Sequence, residues 1–112
     1  MASIKLNEPE PVHYQDRITF TCVWSPLRLK NPRVAVNAYD PASGDLLYGE
    51  AGGAADSFQL GGGMSEWVMR GGGPAHCIAQ LYWFVGKNGK EWTGHGVQAD
   101  APVLAMCEFD AT

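Results

Sequence analysis

Two stretches of alternating polarity frame the chain. In Ile18-Thr19-Phe20-Thr21-Cys22-Val23-Trp24, the residues Ile18, Phe20, Cys22 and Trp24 share one face, and Arg17, Thr19 and Thr21 share the other. In 75–85, Cys77, Ala79, Leu81 and Trp83 alternate with His76, Ile78, Tyr82 and Phe84. A period of two is that of a half-buried strand, because successive side chains on an extended backbone point to opposite faces. Cys22, Trp24, Cys77 and Leu81 are therefore expected in the core.

The same reading along the rest of the chain predicts further strands. A first strand at 4–6 is interrupted by Pro9 and Pro11 and resumes near 12–14. Proline donates no ladder hydrogen bond, so residues 1–15 read as an edge segment. Strands follow at 16–24 and 33–39, with a turn at Asp40-Pro41-Ala42-Ser43-Gly44-Asp45 and a short return at 46–48. Three glycine clusters bracket short strands at 57–60 and 66–69. Glycine costs a helix interior about 1 kcal/mol per residue, so a helix is not expected there. Lys87-Asn88-Gly89-Lys90 is a hairpin signal, since Asn-Gly accepts the two positive φ values of a type I′ turn. One returning strand is expected to start at 91–93, pass Gly94 and Gly96, bend at Pro102 and close over 103–109. The expected fold is all-β: one immunoglobulin-like β-sandwich domain, residues 1–112, of seven to eight antiparallel strands.

Composition narrows the function classes. A chain of 112 residues is expected to form one domain, and its 46% hydrophobic content is that of a globular protein. The longest apolar run, 78–85, falls well short of the ~18–20 residues of a membrane-spanning helix. The N-terminus lacks a signal-peptide pattern, which predicts synthesis in a cytoplasm. Net charge is −4, and the eight Lys and Arg are scattered, with only Arg28, Lys30 and Arg33 loosely grouped. A nucleic-acid binder concentrates positive charge on one face. No nucleic-acid or membrane partner is expected.

Candidate chemistry is sparse. His13, His76 and His95 lie on separate segments, and neighbours such as His76 and Cys77 diverge on a strand, so neither a Cys–His catalytic pair nor a metal site is expected. The glycine triplets lack the lysine and the strand–helix setting of a phosphate loop. The expectation is no enzyme activity, no cofactor and no metal. Cys22, Cys77 and Cys107 read either as small buried hydrophobes or, for the first two, as an inter-sheet bridge of the antibody kind. The strand at 75–85 is apolar on both faces near its end, which calls for a second cover: a loop, another subunit or a ligand. Trp67, Met69, Tyr82 and Trp92 are the candidate interface residues, and exposed Trp67, Trp92 or Tyr82 would give a stacking platform for host-surface glycans.

Three stretches carry a resemblance. The run Leu47-Tyr48-Gly49-Glu50-Ala51-Gly52-Gly53, the run Gly72-Gly73-Pro74-Ala75-His76-Cys77-Ile78-Ala79-Gln80-Leu81-Tyr82-Trp83 and the ending Cys107-Glu108-Phe109-Asp110 resemble small Ig-like virion proteins of actinobacteriophages. These motifs mark turns and core strands and transfer no functional residue. The resemblance implies a structural protein of the phage virion, a capsid decoration or minor head protein on the capsid exterior. Its partners would be the major capsid protein or other virion proteins, with a homo-oligomer on the shell or a place on the tail as variants.

Overall fold

A computed structural model of the chain describes residues 2–25, 32–53, 61–82 and 103–112. They form seven strands: β1 (Ser3–Leu6), β2 (Arg17–Val23), β3 (Arg33–Tyr39), β4 (Leu46–Gly53), β5 (Gly62–Val68), β6 (Ala75–Tyr82) and β7 (Val103–Ala111). There is no helix among the described residues. All strand pairs are antiparallel and fall into two sheets, ordered β1-β2-β5 and β4-β3-β6-β7.

The sheets enclose one hydrophobic core. Ile18, Phe20 and Cys22 of β2 contribute from the first sheet, and Val34, Val36 and Ala38 of β3, with Cys77, Ala79 and Leu81 of β6, contribute from the second. Phe20 meets Phe109 of β7 with ring centroids 5.8 Å apart and planes inclined at 53°. That tilted aromatic contact joins the two layers. Cys22, Trp24, Cys77 and Leu81 are all buried, as the alternation of β2 and β6 implies.

The N-terminal segment touches both sheets. β1 pairs with β2, and the chain then turns so that Val12 forms a parallel bridge with Ala111. Its N–H donates to the Asp110 carbonyl at 3.0 Å, and Thr112 N–H donates back to the Val12 carbonyl at 2.9 Å. The expected resumed strand at 12–14 is thus a single bridge. Carboxylates add two ties: Glu8 accepts from the Thr19 hydroxyl at 2.9 Å, and Glu10 accepts from Asp110 N–H at 2.8 Å.

Two strands are longer than their glycines suggest. β4 runs on from the expected 46–48 through Gly49 to the cluster Gly52-Gly53. A Cβ at Gly49 would collide with the Asn37 side-chain amide, so glycine there serves a close approach inside the sheet. β5 begins at Gly62, four residues before the expected 66–69. The expected strand at 57–60, the expected start of the returning strand at 91–93, the Asn88-Gly89 hairpin, Trp83 and Trp92 lie outside the described residues.

This frame places three of the candidate interface residues wholly or partly in packing. The register pairs Ile18 with Trp67 and Phe20 with Ser65, so Trp67 is turned to the inner side of β5 and packs half-buried against the core. Its indole N–H donates to the Ser65 hydroxyl at 2.8 Å. A polar serine inside the sheet hid that inward face from the alternation. Met69 continues the same side and is buried in the core. Tyr82 lies on the outer face of β6, opposite Leu81, yet is fully buried and hydrogen-bonds with Arg33. Ala35, on the outer face of β3, is also at 0% exposure, so this end of the outer face is closed to solvent.

Candidate functional site

The other end of that face is open. Across β3, β6 and β7 the register aligns Tyr39, His76 and Asp110 in one row, with Asn37, Ile78 and Glu108 in the next. All are outward positions, because Ala38, Cys77 and Phe109 between them point into the core. The row forms the floor of a groove of about 470 Å³, lined by Tyr39, Asp40, Pro41, Gly44, His76, Ile78 and Asp110. Ligand clefts occupy about 300–1,000 Å³, so the groove is of ligand size.

One wall is the turn that follows β3. Asp40 N–H donates to the Asp45 carbonyl at 2.8 Å, and Gly44 N–H donates to the Asp40 carbonyl at 2.8 Å. The Asp40 carboxylate accepts from the N–H groups of Ala42 (2.8 Å) and Ser43 (3.3 Å), an Asx turn that holds Pro41 beside the groove. Gly44 closes the turn at φ 77°, in the left-handed region. The Asp40-to-Asp45 stretch is therefore a built wall, as its proline, aspartate and glycine imply.

His76 is clasped by acids. Its Nδ1 lies 3.0 Å from Asp110 Oδ1, and its Nε2 lies 3.7 Å from Glu108 Oε2. The hydrogen bond to Asp110 is the main cause of a pKa held above the ordinary imidazole value, with Glu108 adding to it. A raised folded pKa contributes stability below the unfolded pKa of 6.5 and loses it as pH rises through the folded value. The side chains are largely exposed, so solvent screening limits the effect to less than about 1 kcal/mol. Wild-type protein is accordingly expected to exceed His76→Gln in urea midpoint below pH 6.5 and to converge with it at higher pH. A gap that widens with pH would contradict this geometry.

The His76–Asp110 pair can hold and release a proton, and among the described residues the groove lining includes no serine, threonine or cysteine for it to activate. Among the described residues no group of three or more His, Cys, Asp or Glu side chains is placed to hold a metal ion. No family model, curated protein or solved structure matches the chain.

The sequence candidates and this groove do not coincide. Trp67, Met69 and Tyr82 are withdrawn into packing, and Trp92 lies outside the described residues. Tyr39, Asp40, Glu108 and Asp110 were not singled out from the sequence, and His76 only for its neighbour Cys77. The usable signal was the Glu108-x-Asp110 spacing, which puts two acids on one side of a strand. Only the pairing of β6 with β7 sets them around His76.

The three cysteines are free thiols, Cys22 and Cys77 buried and Cys107 partly so. Cys22 on β2 and Cys77 on β6 project from opposite sheets into the same core without a bridge.

Proposed function

We propose that this protein is a non-enzymatic Ig-like module of a phage virion, a decoration or minor head protein that attaches to the outer face of the capsid shell. The observation that carries the reading is the strand order. The order β1-β2-β5 facing β4-β3-β6-β7 supports an Ig-like reading, in which A, B and E strands face C′, C, F and G. The two buried cysteines occupy the B and F positions of that scheme. This topology supports the fold that the resemblance drawn from the glycine-flanked and cysteine-bearing strands implies, and the virion role is proposed from that resemblance.

A shell-binding module needs a rigid body, an attachment surface and no chemistry. β4 and β5 are terminal strands of their sheets among the described residues, and an edge strand can add to a partner's sheet through main-chain hydrogen bonds. β5 carries exposed Met64 and Val68 on either side of Glu66, an apolar pair suited to contact. Repetition over a symmetric shell multiplies weak contacts. The partner on this reading is the major capsid protein, and the module acts on the capsid exterior after synthesis in the host cytoplasm. The glycan-platform alternative is weaker, since Tyr82 is buried and Trp67 packs against the core.

Purified protein mixed with head shells of actinobacterial phages is expected to co-sediment saturably, at a fixed copy number per shell, through an interface of about 1,000 Å² or more. No co-sedimentation at concentrations well above about 1 µM would overturn the proposal.

A further inference from the structure

The groove on the outer face of the second sheet has a composition that selects its occupant. Its floor and wall are largely apolar: the Tyr39 ring, Ile78 and Pro41. Among the described residues its lining carries the carboxylates of Asp40 and Asp110 and the imidazole of His76, with Glu108 beside them, and no lysine or arginine, so acids outnumber the one group that can turn cationic. The Asp110 and Glu108 side chains are 70% and 55% exposed, so their carboxylates reach solvent and an incoming group.

We propose that this groove is a docking site for an arginine side chain of a partner protein. The methylene stem lies over Pro41 and the Tyr39 ring, the guanidinium plane stacks on His76, and its N–H donors reach Asp110 and Glu108. Three physical terms favour this occupant. A guanidinium presents a planar fork of donors that matches carboxylates, and it stacks on aromatic faces. Its stem buries against apolar side chains while its head remains polar. The groove's charge repels anions and attracts cations, which also favours productive encounter.

The row geometry suits the length of the side chain. Tyr39 and Asp110 are separated by one strand, β6, and adjacent strands lie ~4.8 Å apart, so their backbones stand about 10 Å apart. A side chain entering beside Pro41 spans that row. His76 sits midway; in its neutral form it leaves both carboxylates with full charge and offers a flat face beneath the guanidinium.

The inference deepens the attachment reading and rests on it for the kind of partner, while the chemistry of the groove is testable without capsids. The probe is the pentapeptide acetyl-Gly-Gly-Arg-Gly-Gly-amide, titrated into the full chain at pH 8 and followed by amide and side-chain NMR shifts. The control is the same peptide with citrulline, which keeps the shape and removes the charge. Saturable shifts are expected at Tyr39, His76, Ile78, Glu108 and Asp110, with half-saturation at about 5 mM or below. The citrulline peptide is expected to bind at least about fivefold more weakly. Asp110→Asn and Tyr39→Leu are each expected to weaken the arginine peptide by a similar factor, and Thr21→Ala, on the other sheet, to leave it unchanged. Equal binding of the citrulline peptide, shifts centred elsewhere, or no saturation would overturn the inference. Retained capsid binding with a failed peptide titration removes this inference alone, whereas peptide binding without capsid binding removes the virion reading alone.

Discussion

Replacing Phe20 with alanine is expected to lower the unfolding free energy by about 3–5 kcal/mol. The ring is at 0% exposure in the middle of β2 and meets Phe109 across the two layers at 5.8 Å. Truncation removes its transfer energy and leaves a cavity that the surrounding strands fill only in part. The lower β-propensity of alanine adds at most about 1 kcal/mol, so packing dominates. A domain of this size has about 5–15 kcal/mol in total, and the variant retains little margin. Urea unfolding followed by tryptophan fluorescence measures the loss. A double-mutant cycle with Phe109→Ala isolates the tilted ring contact, with an expected coupling of about 0.5–1.5 kcal/mol. A loss below about 1 kcal/mol in Phe20→Ala would show that β2 does not present this face to the second sheet.

The second large effect is kinetic. Burial pushes the Cys22 thiol up to about 12 and the Cys77 thiol up to about 11, from an ordinary 9.0. The thiolate is the nucleophile, so at pH 8 the reactive fraction falls about a thousandfold for Cys22 and about a hundredfold for Cys77. Burial also keeps the reagent away from both sulfurs. Cys107 is raised as well, again chiefly by burial, but part of it is accessible. Alkylation of the native protein with iodoacetamide at pH 8 is therefore expected to modify Cys107 first, Cys77 more slowly and Cys22 most slowly. Urea-unfolded protein is expected to take three equivalents without prior reduction. Recovery of only one equivalent from unfolded, unreduced protein would mean that two of the thiols are bridged.

Legibility from the sequence differed by element. β3 was readable end to end: Val34, Val36 and Ala38 alternate with Arg33, Asn37 and Tyr39, and the strand runs Arg33–Tyr39. β2 and β6 were readable for the same reason, apart from their ends. β4 and β5 were misjudged in length because the clusters at Gly52-Gly53 and 61–63 look like breakers, although both strands run into them. The inward face of β5 was hidden by Ser65, a polar residue buried with a tryptophan N–H as partner. Tyr82 illustrates the limit from the other side. Its outward placement follows from alternation, but its burial depends on what covers the sheet there.

The groove was the least legible feature. His76, Tyr39 and Asp110 are far apart in the chain, and each by itself is an ordinary exposed strand residue. The antiparallel register of β3, β6 and β7 puts them in one row, and the Asx turn at Asp40 gives that row a wall. By itself, the sequence determined which residues of β2, β3 and β6 point inward, because a period of two is written in consecutive positions and follows from the extended backbone alone. The tertiary structure decided which strands are neighbours, how each pair is registered and which outer positions stay open. Those depend on loop closure and on the packing of whole sheets, which no local pattern encodes.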